Sequence, residues 1–369
     1  MSRRATQEGT RRYAEKFRGD AAEGHFRQAQ DLLVSSLGIG TYLGQSNDSI
    51  DASYTAAIVA AVESGINLID TAINYRLQHS ERTIGTALKV LAHKGISRDE
   101  IVVCTKGGYL TPDGSMPTDP NRYFFEEYLQ KGICSAKDIV AGGHCMTPRF
   151  LQNQLARSLK NLQLECIDVY YLHNPETQLT EIPPTEFLRR VREAFELLES
   201  AVAHGHVQFY GMATWNGFRQ DKSARDSMQL EQLVAVAKEI AGDNHHFRFV
   251  QLPFNLAMTE ALTLGNQTQS SEQKTLMEAA DALGITLIAS ASLLQGQVAQ
   301  NLPPFVAEAF GLQNDAERAL QFVRSAPGIT TALVGMSRTA HVEANTRLIA
   351  EPPAGLEQFS KLFSRGERA

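Results

Sequence analysis

A short apolar, β-rich run followed by an amphipathic stretch recurs eight times along this chain, and no other feature restricts the fold as much. The strand-like runs are 37–41, 66–70, 101–106, 167–173, 206–211, 247–252, 285–289 and 331–335. The stretches 54–64, 80–93, 148–161, 184–204, 229–241, 272–283, 315–324 and 340–349 carry apolar residues at helical spacing. Several stop at a glycine, as at Gly65, Gly95 and Gly284. A helix between two strands of one sheet makes those strands parallel and the crossover right-handed. Eight such units predict an α/β fold: a (β/α)8 TIM barrel, closed and single-domain. The competitor is an open doubly wound sheet, whose glycine fingerprint is incomplete here, since Leu43 stands where Gly38 and Gly40 require a third glycine.

A length of 369 residues allows one large domain or two ordinary ones. Apolar residues at 43% and charged residues at 21% are enough to build a core. A net charge of −6 argues against non-specific nucleic-acid binding. No apolar run reaches the ~20 residues that a membrane span needs, and residues 1–20 lack the apolar core of a secretory signal. Four cysteines are too few for a disulfide scaffold, so a cytoplasmic protein with reduced thiols is expected.

Residues 1–30 are expected to form an N-terminal arm, partly helical, and 31–350 the barrel. Residues 351–369 are expected to form a C-terminal tail. Within 26–34 apolar and polar residues alternate. That stretch either plugs the barrel bottom as a hairpin or lies on the surface as an arm.

In such barrels chemistry sits at the C-terminal ends of the strands. Those ends read Gly40-Thr41-Tyr42, Asp70-Thr71, Lys106, His173-Asn174, Thr214-Trp215, Gln251, Ser290 and Gly335. Asp70, Lys106 and His173 each close a mostly apolar run, so three ionisable groups converge on one low-dielectric mouth, where each is costly unless paired. Tyr75 lies five residues past Asp70, in the following loop. A lysine ammonium beside it favours the phenolate and is expected to lower its pKa, while Asp70 keeps Lys106 charged. With His173 to orient an acceptor oxygen, the set suits proton transfer to a developing alkoxide. That half-reaction needs a hydride donor, which points to a nicotinamide.

Four segments in the same order resemble signatures of the aldo/keto reductase superfamily. They are GINLIDTAINY at 65–75, IVVCTK at 101–106, SLKNLQLECIDVYYLHNP at 158–175 and ALVGMSRTAHVEAN at 332–345. The resemblance covers about residues 30 to 350. It implies an NADP-dependent oxidoreductase transferring hydride between NADPH and an aldehyde or ketone, with NADPH as cofactor ahead of NADH and no metal. Tyr75 would be the general acid, Asp70 and Lys106 its tuners, and His173 the carbonyl-orienting group. It further implies that Gly40, Thr41, Asp70, Thr214 and Gln251 meet the nicotinamide side. Leu293 and Gln295, with Gly296, would cover the pyrophosphate, and Gly335, Ser337, Arg338 and Asn345 would hold the adenosine phosphate. A guanidinium at Arg338 suits a 2′-phosphate.

Some positions depart from the family pattern. Ala213-Thr214 replaces the usual Ser-Asn, and Ser290 stands where many members stack a tyrosine on the nicotinamide. Trp215 is the aromatic expected to compensate. Tyr42, Tyr109 and Trp215 are the candidates for contacting the small carbonyl or alcohol substrate.

The distance from Lys106 to His173 is 67 positions, whereas other successive strand ends lie 30 to 45 apart. About 30 surplus residues therefore fall in a loop on the catalytic face, within about 107–147. Its aromatics, among them Tyr109, Tyr123, Phe124, Phe125 and Tyr128, suggest a substrate lid; a packed excursion or an oligomer contact are the alternatives. Cys134, His144 and Cys145 match no usual zinc spacing, and a fourth ligand is lacking. Two other functions are compatible with the resemblance: a non-catalytic NADPH-binding subunit, and a sugar dehydrogenase working oxidatively.

Overall fold

The computed structural model describes residues 3–363. Helix α1 (Gln7–Lys16) and an antiparallel hairpin, β1 (Phe26–Ala29) with β2 (Leu32–Ser35), come first. Six strands follow: β3 (Leu37–Gly40), β4 (Leu68–Asp70), β5 (Val102–Gly107), β6 (Ile167–His173), β7 (Val207–Ala213) and β8 (Phe247–Pro253). A second small hairpin, β9 (Gln267–Gln269) with β10 (Glu272–Lys274), precedes β11 (Thr286–Ser290) and β12 (Ile329–Gly335). Strands β3 to β8, β11 and β12 close into a parallel barrel, sealed where Ala332–Gly335 pairs with Leu37–Gly40. The surrounding helices are α2 (Asp48–Glu63), α3 (His79–His93), α4 (Pro120–Phe124), α5 (Pro148–Leu162), α6 (Pro184–Ala203), α7 (Leu230–Ala241) and α8 (Glu260–Thr263). They continue with α9 (Leu276–Leu283), α10 (Pro304–Phe310), α11 (Asp315–Ser325), α12 (Thr339–Thr346) and α13 (Leu356–Ser360). No described helix is long and apolar enough to cross a membrane.

Strands buried on both faces read as continuous apolar runs, and all seven residues of β6 are buried. Alternation sorts them into two rows. Ile69, Val103, Tyr170, Leu172, Met212, Val250 and Leu287 pack outward into the helix-lined core. Leu68, Val102, Cys104, Val169, Tyr171, Phe249, Ile288 and Leu333 fill the barrel interior. Gly38 belongs to this packing: a Cβ there would lie 2.8 Å from Leu333 and 2.9 Å from Thr331. Continuing the inward row by two residues gives Asp70, Lys106, His173, Gln251 and Ser290. The fold thus places the polar strand ends on one floor.

Of the two readings of 26–34, the hairpin is the one found. Ala29, Leu32 and Val34 are buried among the interior strand residues, so the hairpin closes the barrel from below. The preceding residues, expected as a partly helical arm, include α1 and are tied to the barrel. Ala5 donates its N–H to the buried Asp168 carboxylate at 2.7 Å, and Arg12 and Lys16 pair with Asp99 and Glu100 at 2.8–2.9 Å. The Tyr13 hydroxyl, fully buried, donates to the Val62 carbonyl. The charges that make this stretch look solvated on paper are matched by carboxylates at the barrel's N-terminal end.

Two further differences follow from local chemistry. Residues 272–283 do not form one helix, because Thr275 and Glu278 make a capping box that starts α9 at Leu276 and leaves 272–274 to β10. Residues 351–363, within the expected C-terminal tail, pack back on the barrel: Phe359 of α13 is buried and stacks on Phe322 at 5.2 Å. The expected tail beyond, 364–369, and the arm's first two residues lie outside the described residues.

Candidate active site

Lys106, at the end of β5, is buried, and its ammonium is the hub of the barrel mouth. It donates to Asp70 Oδ1 at 2.5 Å and to the Thr71 carbonyl at 2.7 Å, and it lies 5.0 Å from the centre of the Tyr75 ring. Asp70 Oδ2 accepts from Gln251 Nε2 at 2.7 Å, so each carboxylate oxygen has a donor. Burial pulls the Lys106 pKa down, but its interactions with Asp70 and Tyr75, the carboxylate foremost, outweigh it and the net shift is upward. The lysine is held charged, as the sequence leads one to expect.

Tyr75 departs from expectation. Desolvation pushes its pKa above the ordinary phenol value, and the opposing pull of Lys106 only partly offsets this. The expected lowering is therefore not found in the resting site, where burial is the larger effect. Such a phenol stays protonated at neutral pH. The His173 ring stands edge-on to Tyr75, centroids 5.8 Å apart. Burial, with Lys106 and His144 adding to it, drives the His173 pKa well below the ordinary value and leaves the imidazole neutral.

The aromatics around this group divide. Tyr42 packs against Tyr75 at 5.0 Å and is 57% exposed, and Tyr109 meets His173 at 5.2 Å. Trp215 is 44% exposed; what anchors it is its backbone N–H, which donates to Glu176 at 2.6 Å. Thr214 is buried beside β8, its N–H donating to the Gln251 carbonyl at 2.8 Å.

The residues that the resemblance assigns to a cofactor run around consecutive barrel positions, from the end of β7 through β8, β11, β12 and β3 to β4. Gly335 pairs with Gly40, and the Thr41 hydroxyl donates to the Asp70 carbonyl at 3.2 Å. Leu293 and exposed Gln295 lie in the loop after β11, where Ser292 Oγ is buried without a partner. Arg338 is exposed and stands at the N-cap of α12 without a side-chain cap bond, so the helix opens with free N–H groups. The Ser337 carbonyl accepts from Ser53 at 2.6 Å, and Asn345 is buried one helix length on. An uncapped helix terminus with an exposed guanidinium and an orphaned buried hydroxyl fits a phosphate-bearing group.

Several contributors escape motif reading. Arg76, Leu77 and Gln78 directly follow Tyr75 with φ of 50°, 54° and 75°, a left-handed run of non-glycine residues. It is held by buried Arg76, which pairs with Asp51 and donates to the Gln45 carbonyl at 3.0 Å, and by His79, 2.6 Å from Asp51. Glu176 is buried and accepts N–H bonds from Trp215, Asn216 and Gly217 at 2.6–3.4 Å, fixing the loop after β7. The HNPE spacing at 173–176 was the available signal for it.

Of the aromatics in the 107–147 excursion, Tyr109 reaches the catalytic candidates, through its ring contact with His173. Tyr128 is buried against Phe150 at 5.6 Å, outside the mouth, and Phe124 packs on Tyr128. Both ring nitrogens of His144 are engaged, to the His173 carbonyl at 2.8 Å and Gln178 at 2.7 Å, which leaves none for a metal. Cys134 and Cys145 are free and buried.

The model of the Aldo/keto reductase family matches residues 36–304. The NADH-specific methylglyoxal reductase of Escherichia coli is 28% identical over 189 residues, 50% of this chain and 49% of that protein. The chain thus aligns with about half the length of that curated relative. Among solved structures, an aldo/keto reductase from Klebsiella pneumoniae in complex with NADP and acetate has a TM-score of 0.60 at 19% identity. The match covers 93% of this chain and 96% of that one. The holo form of an aldo-keto reductase from Bacillus halodurans has a TM-score of 0.63 at 18% identity, over 92% and 95% of the two chains. At these identities the likeness is one of fold.

Proposed function

Because the chain belongs to the aldo/keto reductase family, we propose that it is an NADPH-dependent reductase of small aldehydes or ketones, with Tyr75 as the proton donor. The observation that carries this reading is the placement of Lys106, 2.5 Å from Asp70 and 5.0 Å from the Tyr75 ring, with neutral His173 on the other side. A carbonyl oxygen between the Tyr75 hydroxyl and the His173 ring accepts a hydrogen bond from each. As charge grows on that oxygen, Tyr75 gives up its proton and the phenolate is met by the Lys106 ammonium. Asp70 keeps that ammonium charged, and Gln251 keeps Asp70 oriented. Exclusion of water around these buried groups strengthens each interaction.

NADPH, when bound, supplies the hydride. Gly335, Ser337, Arg338 and Asn345 would hold its adenosine phosphate, Leu293 and Gln295 with Ser292 its pyrophosphate, and Thr41, Thr214 and the Gln251 side chain its carboxamide side. Arg338 is the reason for preferring NADPH, although the E. coli relative is named for NADH.

The test is steady-state NADPH oxidation with a panel of small aldehydes, methylglyoxal first. Tyr75→Phe is expected to abolish turnover while NADPH titration by fluorescence stays near wild type. Wild-type turnover by that variant would end the proton-donor assignment.

A further inference from the structure

We propose that the excursion between β5 and α5 is a brace for the catalytic floor, with His144 as a positioning residue that holds His173 at two points. This rests on the reading of His173 as the group that meets the carbonyl. The first point is direct. His144 Nε2 donates to the His173 main-chain oxygen at 2.8 Å. The second runs through a ring: His144 stands edge-on to Tyr109 at 4.9 Å, and Tyr109 stands edge-on to His173 at 5.2 Å.

His173 needs such support. A functional histidine is ordinarily oriented by a hydrogen bond to its second ring nitrogen. Here Nδ1 of His173 is buried with no partner. Its ring is therefore held by its backbone and by the tyrosines on either side, Tyr75 and Tyr109.

His144 is itself fixed. Gln178 Nε2 donates to His144 Nδ1 at 2.7 Å, which leaves the proton on Nε2, where the His173 carbonyl requires it. Arg190 Nη1 anchors Gln178 at 2.6 Å, and Glu186 pairs with Arg190 at 2.8 Å. Burial lowers the His144 pKa to about 4, so the neutral tautomer persists. Gly108 makes room for the contact: a Cβ there would lie 3.0 Å from both His144 Nε2 and the His173 oxygen. The two ends of the excursion are joined at this place by the Tyr109–His144 bridge and by the Cys145 N–H bond to the Gly108 carbonyl at 2.8 Å. Tyr109 is secured independently, its carbonyl by Gln154 at 2.8 Å and its hydroxyl by Asn174 at 3.2 Å.

The experiment uses full-length protein labelled with ¹⁵N-histidine, His173 being assigned by the signal lost in His173→Asn. His144→Phe keeps a ring beside Tyr109 and loses both hydrogen bonds. His144→Gln keeps an amide donor for the His173 carbonyl. His144→Phe is expected to shift the His173 ring resonances and to lower kcat roughly 10- to 100-fold, the scale of a misplaced catalytic group, with NADPH affinity unchanged. His144→Gln is expected to restore most of both. Gln178→Met, which frees Nδ1, should move the same resonances in the same direction, and it decides the matter if His144→Phe does not fold. Unmoved His173 resonances in these variants, or equal damage from Gln and Phe, would overturn the proposal. If the wild-type protein reduces no carbonyl, the reading of its function fails, while the resonances still decide whether His144 positions His173.

Discussion

The Asp70–Lys106 pair makes a prediction that separates charge from packing. At 2.5 Å and an effective dielectric of about 20, their attraction is about 7 kcal/mol. Taking both ions out of water costs several kcal/mol each, so the pair adds little net stability. Removing one partner is a different matter, because the other charge stays buried. Asp70→Asn and Lys106→Met should each lose about 3–5 kcal/mol, whereas the double variant should lose much less than their sum. Urea unfolding at neutral pH measures all three, and NADPH-dependent turnover should be absent from each. The pH slopes supply the signature. In Asp70→Asn, burial lowers the folded pKa of Lys106 below its unfolded value. The unfolded chain then holds the extra proton, and stability rises as pH increases toward 10. In Lys106→Met, burial holds the folded pKa of Asp70 above its unfolded value, so stability rises as pH falls toward 4. Additive losses, or pH slopes of the same sign, would refute the view that these two groups are buried as a mutually dependent pair.

Two other outcomes are expected. Arg338→Ala should weaken NADPH far more than NADH, by roughly 1–3 kcal/mol for one charge-assisted contact; equal loss for both would remove the 2′-phosphate role. Acid should destabilise the protein through two buried histidines, since burial lowers His25 and His144 to about 4. Their contribution is complete above the unfolded pKa near 6.5 and is lost as pH falls toward 4, by about 3 kcal/mol each. Thermal melts at stepped pH read this, and an unchanged acid profile in His25→Asn would count against the His25 share.

The barrel and its floor were legible for one reason. Parallel strands buried on both faces alternate strictly, so a polar residue ending an apolar run has few directions to point. Asp70, Lys106, His173 and Gln251 could be placed from that alone. The N-terminal segment was not legible, because Arg12 and Lys16 read as solvated until Asp99 and Glu100, some 85 positions away, are brought beside them. The same holds for Tyr75. Its sequence neighbours reveal a lysine that attracts its phenolate but not the desolvation at the barrel mouth, which dominates the resting phenol.

The left-handed run after Tyr75 shows where sequence reasoning meets a functional constraint. No glycine marks 76–78, so nothing in the sequence announces the left-handed backbone there. Non-glycine residues in that region cost of order 1–3 kcal/mol each, and they persist only where the surroundings over-determine them. Here Arg76 is clamped by Asp51 and Gln45, and Gln78 donates to the Pro112 carbonyl at 3.0 Å and accepts from Asn161 at 3.0 Å. The strain and the clamps lie immediately after the tyrosine whose hydroxyl must face Lys106. The same organisation appears across the mouth, where His173 lacks a partner for Nδ1 and is held instead by what surrounds it. Both side chains to which the proposed reaction is assigned are thus fixed by residues outside the four recognisable positions. This explains why a motif can name Tyr75 and His173 without saying what holds either ring in place.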